Sequence, residues 1–236
     1  MSAIIDTMQP QNLHPRPLRI ASVLSVLFVV LLALVAARWG PLISADRDVV
    51  VPLHRSALDH PGWTETNRVL TDWIWDPWTM RALTAVIVLW LLMRRERMPA
   101  LWVAVTAAAG TALQQGVKAA LDRPRPHWAN PVDSAHYAAF PSGHALTATV
   151  TFGLLLWMLK LHGAPAPWQR LATTVAAVSV LGVGLTRLYL GVHWPTDILG
   201  GWLLGAALVA WAVAVYPHSV IHRDERKSSA DGRVRP

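Results

Sequence analysis

Residues 21–37 read ASVLSVLFVVLLALVAA, a run of apolar and small residues without a charge. A helix that spans a bilayer needs about 20 predominantly apolar residues. A secretory signal would look similar, but no small-residue cleavage site follows and further apolar runs come later. The stretch therefore predicts a first transmembrane helix over residues 19–37. Working outward, the later runs predict five more spans, at residues 80–93, 100–121, 142–159, 171–190 and 195–215. Segments such as AVTAAAGTALQQG (104–116) and GGWLLGAA (200–207) are rich in small residues, which let helices approach closely inside a membrane. The expected fold is all-α, a six-span transmembrane helical bundle. Its expected parts are a leader over residues 1–18, a membrane domain over 19–216 with a connector at 41–77, and a disordered tail over 217–236.

The composition agrees with this. Of 236 residues, 53% are hydrophobic and only 15% are charged, against about 25% charged in a soluble domain. Thirteen Trp outnumber three Phe and three Tyr. Trp39, Trp73, Trp75, Trp78, Trp102, Trp128, Trp168 and Trp194 fall near the ends of apolar runs, where amphipathic rings anchor helices at the headgroup level. The chain has no Cys, which excludes disulfides, thiolate chemistry and Cys-based zinc sites. A net charge of +7 invites a nucleic-acid reading. That reading fails because the basic residues border the spans or fall in the tail, and no groove-reading motif is present.

Charge also sets an expected orientation. Residues 1–19, the turns at 94–99 and 160–170 and the tail carry twelve Lys and Arg against five acids, whereas the opposite side carries nine against nine. The positive-inside rule then puts both termini in the cytoplasm and the connector at 41–77 outside. The connector contains TDWIWDPW (71–78), read as a short amphipathic segment lying on the membrane.

Three polar clusters break the apolar pattern, all on the predicted outward side. In KAALDRPRP (118–126), Lys118 precedes a turn fixed by two prolines, and Arg125 follows it. A Lys point charge and an Arg fork suit a phosphate dianion, although both residues would also serve as headgroup anchors. Arg123 is a possible helper. In PSGH (141–144), Ser142 caps a helix and Gly143 allows a close approach to its N-terminal N–H groups. His144 lies in the first turn. In TRLYLGVHWPTD (186–197), Arg187 ends one helix while His193 and Asp197 stand four apart and share one face of the next. Asp197 can then hold the His193 ring and leave its other nitrogen free as a nucleophile. An ordinary capped helix, or a metal set of His144, His193 and Asp197, are the alternatives. The density of cations opposes the metal.

These clusters resemble the signature of the type 2 phosphatidic acid phosphatase (PAP2) superfamily, which is related to vanadium haloperoxidases. Lys118 with Arg125-Pro126, then Pro141-Ser142-Gly143-His144, then Thr186-Arg187 with His193 and Asp197 reproduce its three parts and their spacings. Thr186 stands where the family has Ser and keeps the hydroxyl. The resemblance implies that His193 attacks phosphorus, Asp197 orients it, and His144 protonates the leaving oxygen and then activates water. It assigns Lys118, Arg125, Ser142, Gly143 and Arg187 to the phosphoryl oxygens. It implies no metal and no cofactor, and a phosphorylated lipid in the bilayer as the partner. Undecaprenyl diphosphate is the expected lipid, which Arg123 beside the phosphate pair favours. Phosphatidic acid and phosphatidylglycerol phosphate are alternatives, and the bacterial inner membrane is the expected location. A soluble haloperoxidase conflicts with the six spans. A phospholipid transporter would explain the spans but not the His-Asp pair.

Overall fold

The computed structural model describes residues 15–216. Most of the expected leader, and the tail, lie outside the described residues. Within the described residues eight α-helices follow one another: α1 (Pro15–Ala36), α2 (Gly40–Asp59), α3 (Pro61–Val69), α4 (Pro77–Met93), α5 (Arg97–Leu121), α6 (Gly143–Leu161), α7 (Ala166–Tyr189) and α8 (Pro195–Val215). A π-helical turn, Leu70–Ile74, leads from α3 towards α4. Helix α1 starts four residues before the expected membrane domain.

Among the described residues, five segments are long and apolar enough to cross a membrane: α1, the α3–α4 stretch, α6, α7 and α8. Helix α5 has the length, at 25 residues, but Gln114, Gln115 and Lys118 interrupt its apolar run. These residues serve the site described below. Leu91, Val103, Phe140 and Leu154 lie fully buried in the core between α1, α4, α5, α6 and α8. Large apolar side chains face outward in belts, among them Val26 and Val29 on α1, Val86 and Leu89 on α4, and Val178 and Leu185 on α7. Exposed apolar belts on the outside of a polar-sited bundle are the mark of a lipid-facing surface. Trp39, Trp73, Trp78 and Trp168 are exposed near helix ends, whereas Trp102 is tied inward through Nε1 to the Ala212 carbonyl at 2.9 Å.

The connector at 41–77, where the sequence suggests only a short amphipathic segment, is helical through most of its length. Helix α2 buries Asp46, Val50, His54 and Ala57 along one stripe, at the four, four and three spacing of a helix face. Half of that stripe is polar, so hydropathy alone does not reveal it. Tyr189 at the end of α7 donates to the Ser56 carbonyl at 3.2 Å, and Thr64 of α3 donates to Ala57 O at 2.7 Å. Asp76 then starts α4 by accepting from the N–H groups of Trp78 and Thr79 at 2.6 and 3.3 Å.

Helix ends place the site. Helix α5 stops at Asp122, whose φ of 41° is left-handed, and Pro124 and Pro126 follow. The turn after α7 reverses at Gly191, with φ of +67°, a conformation that glycine adopts without strain. Helices α6 and α8 meet closely because a Cβ on Gly201 would lie 2.7 Å from the Ser142 carbonyl oxygen. That contact seats the first turn of α8 on the start of α6, where the Ser142 N–H donates to the Asp197 carbonyl at 2.9 Å.

Candidate active site

The ends of α5 and α7 and the starts of α6 and α8 converge at one end of the bundle. Six of the residues singled out from the sequence, Lys118, Arg125, Gly143, His144, Arg187 and His193, line one cavity of about 530 Å³. They come from three clusters up to 75 positions apart in sequence.

His193 is 1% exposed. Its Nδ1 lies 3.2 Å from Asp197 Oδ2, the i to i+4 contact that the spacing predicts. That oxygen also accepts from the Trp194 N–H at 2.8 Å. Because the carboxylate only accepts, Nδ1 carries the proton and Nε2 presents its lone pair. Arg125 Nη1 reaches Nε2 at 3.1 Å and donates to the Val192 carbonyl at 2.6 Å. Burial, with Arg125, Arg187 and Lys118 nearby, holds the His193 imidazole well below its ordinary 6.5. The ring is therefore neutral, the form that acts as a nucleophile. Burial and the neighbouring Arg187 pull Arg125 down to about 10, so that it remains a cation at neutral pH.

The cations are held by a segment that wraps the cavity. Lys118 Nζ donates to the Ala138 carbonyl. Arg125 donates through Nε to Tyr137 O at 2.9 Å and through Nη2 to His136 O at 3.2 Å. Arg187 contacts Asp133 at 3.4 Å and Asp72 at 3.7 Å. Its buried Nε has no hydrogen-bond partner among the described residues. A buried donor left unpaired is costly, and an oxyanion in this cavity would satisfy it.

At the start of α6 the side chains divide. Ser142 is fully buried, its Oγ 3.5 Å from the Ala145 N–H, and its own N–H is taken by Asp197 O. It caps the helix and does not line the cavity. Gly143 does, and a Cβ there would lie 2.6 Å from Gln114 Nε2.

Arg123 lies on the other side of the nucleophile. It does not line the cavity, and pairs instead with Asp46 and Asp197 at 2.6 Å each. The sequence reading missed Gln114, Asp133 and Asp46. Gln114 carried a signal, since it stands four residues before Lys118 and so shares its helix face. Asp46 lies in the charge-rich run Asp46-Arg47-Asp48, and Asp133 lies in a segment without helical spacing to tie it to the site, so neither carried a signal.

Residues 99–221 match the family model of the PAP2 superfamily. This chain belongs to the PAP2 superfamily. The matched region contains every residue singled out from the sequence for the PAP2 site. The chain is 35% identical over 98 residues to phosphatidylglycerophosphatase B of Bacillus subtilis, covering 41% of this chain and 47% of that one. It thus spans about half the length of that relative. It is 32% identical over 169 residues to decaprenylphosphoryl-5-phosphoribose phosphatase of Mycobacterium tuberculosis, covering 69% of this chain and 85% of that one. The fold matches the crystal structure of a transmembrane PAP2-type phosphatidylglycerolphosphate phosphatase from Bacillus subtilis, with a TM-score of 0.71 at 25% identity. That match covers 82% of this chain and 94% of the crystallised one. The bundle is thus that of an integral membrane PAP2 protein.

Proposed function

We propose that this PAP2 protein hydrolyses the phosphate ester of a membrane lipid through a phosphohistidine on His193. The observation that carries the reading is the His193 ring, held through Nδ1 by Asp197 with Nε2 met by Arg125, in a cavity that Lys118 and Arg187 also line. Nε2 attacks phosphorus in line with the leaving lipid oxygen, and Arg125 releases the ring to take a phosphoryl oxygen. Lys118, Arg187 and the N–H groups at the start of α6 hold the others, so charge is stabilised where it builds. His144 gives its proton to the lipid oxygen, which leaves as an alcohol. It then takes a proton from water, whose oxygen attacks the phosphohistidine and releases inorganic phosphate. The phosphorylated imidazole is cationic, and Asp197 stabilises it.

The chemistry calls for no metal. Asp197 Oδ2 is engaged by His193 and Trp194, and Oδ1 by Arg123, so the carboxylate has no side turned to an ion. Ser142 acts by capping the helix whose N–H groups meet the phosphate.

A phosphomonoester lipid is proposed ahead of undecaprenyl diphosphate. Arg123, which favoured a diphosphate in the sequence, is committed to two carboxylates. The cavity also sets Asp72, Asp76 and Asp133 against Lys118, Arg125, Arg187 and Arg81. That small positive balance suits one phosphoryl dianion. Phosphatidylglycerol phosphate and phosphatidic acid have this chemistry. We read the protein as one of the bacterial inner membrane, and the charge asymmetry supports cytoplasmic termini and an outward-facing site. A panel of these three lipids, assayed for phosphate release in detergent with EDTA beside His193→Ala, tests the reading. Release by the wild type alone, fastest on a monoester, is expected. No release, or equal release by His193→Ala, refutes it.

A further inference from the structure

A second polar cluster lies buried behind the nucleophile, outside the phosphoryl cavity. Asp46 comes from α2, Arg123 from the segment after α5, and Thr196 and Asp197 from the first turn of α8. Arg123 Nη1 donates to Asp197 Oδ1 at 2.6 Å and to Thr196 Oγ1 at 2.7 Å. Its Nη2 donates to Asp46 Oδ2 at 2.6 Å. Asp46 also accepts from the Thr196 N–H at 3.0 Å and from its hydroxyl at 2.7 Å. Asp46 is 2% exposed and Asp197 is fully buried.

The two oxygens of Asp197 thus have separate duties. Oδ2 meets the His193 ring and the Trp194 N–H, while Oδ1 meets Arg123. With only the first set, the carboxylate could rotate about its Cβ–Cγ bond. The Arg123 fork removes that freedom, and Asp46 fixes the fork from behind. A guanidinium suits this because its planar donors can serve two carboxylates at once. Groups behind the direct partner help to orient a metal-bound imidazole, and the same reasoning extends to a nucleophilic one.

We infer that Asp46 and Arg123 are positioning residues, a brace that fixes the Asp197 carboxylate and through it the attacking nitrogen of His193. The inference rests on the phosphohistidine reading above. It gives the segment between the first two spans a catalytic consequence, because Asp46 is supplied by α2. The rival account is a staple that merely joins α2 to α8. A staple would change the unfolding temperature without changing turnover in protein that is still folded.

Full-length Arg123→Ala, Arg123→Lys and Asp46→Asn, purified in detergent, separate the two. Each is assayed for kcat and KM on the lipid that the wild type turns over, well below its unfolding midpoint, with Arg123→Ala repeated in guanidinium chloride at millimolar concentration. The brace predicts that kcat of Arg123→Ala falls roughly 10- to 100-fold, the loss typical when partners behind an oriented imidazole are removed. KM stays unchanged. Asp46→Asn falls less, Arg123→Lys is intermediate, and guanidinium restores part of the loss in Arg123→Ala. Unchanged kcat with a lowered midpoint makes the contact a staple and overturns the inference. A raised KM with unchanged kcat returns Arg123 to the substrate and overturns it too. Those results, with an active wild type, leave the phosphatase reading standing. An inactive wild type overturns both.

Discussion

Gly201→Ala adds one methyl group where α8 crosses α6. The new Cβ would lie 2.7 Å from the Ser142 carbonyl oxygen, 2.9 Å from Ala145 Cβ and 3.0 Å from the Leu146 nitrogen. Two of these are backbone atoms of one rigid helix turn, so no side chain can swing aside. Ordinary contact begins near 3.4 Å, so α8 must retreat by about 0.7 Å. Overpacking of this kind costs about 1–3 kcal/mol. The retreat also strains the Ser142 N–H bond to the Asp197 carbonyl, and it shifts Asp197, which holds the His193 ring. A misplacement of about 1 Å in a catalytic group can cost about 10²-fold in rate. Gly201→Ala should therefore lower both the unfolding midpoint and kcat, the latter by roughly 10- to 100-fold. Gly116→Ala is the control, since its Cβ would meet nothing within 4 Å. There a helical Gly to Ala change should stabilise by up to about 1 kcal/mol. Thermal unfolding in detergent and lipid phosphate release measure both effects. If Gly201→Ala matches the wild type in midpoint and kcat, the close seating of α8 on α6 does not position the site.

Gly191→Ala should also lower both stability and turnover, because its φ is +67° and the added Cβ would lie 2.7 Å from Trp128 Nε1. Unchanged thermal unfolding would show that the turn relaxes freely. The neutral His193 ring is the nucleophile, and burial and nearby cations hold its pKa well below 6.5. Activity should thus persist as pH falls through 6.5, and the acid limb of kcat/KM should lie lower. Stability follows the same sign: the unfolded chain binds the His193 proton first, so this contribution is complete above 6.5 and is lost as pH falls towards the folded pKa. An acid limb at or above 6.5 would contradict the burial argument. Orthovanadate should compete with the lipid in the presence of EDTA, because its five-coordinate form mimics in-line transfer to His193. Purely noncompetitive inhibition would place it elsewhere.

Much of the site was legible because charged residues are rare in the spans. Lys118, Arg187 and Asp197 stand out there, with His193 in the turn just before the last span, and the four-residue spacing of His193 and Asp197 turns them into neighbours. Arg123 was not legible. It is two residues from Arg125, but a proline-flanked segment tends to an extended helix of three residues per turn, so adjacency does not put both on one face. One guanidinium reaches the cavity and the other reaches Asp46 and Asp197. The fold of α2 was hidden for a related reason. Its buried stripe contains Asp46 and His54, and polar residues that are buried for their partners look like surface residues in a sequence. Helix α5 shows the reverse, since Gln114 and Lys118 lower its apolar character yet are both buried at the site.

The central claim is a phosphoryl group on His193 during turnover. Wild-type protein mixed with a lipid carrying a labelled phosphate, quenched in alkali to preserve phosphohistidine and digested, should give label on the peptide containing His193. His193→Ala should give none and release no phosphate. Phosphate release by the wild type without label on that peptide under rapid quenching, or label retained in His193→Ala, would contradict the account.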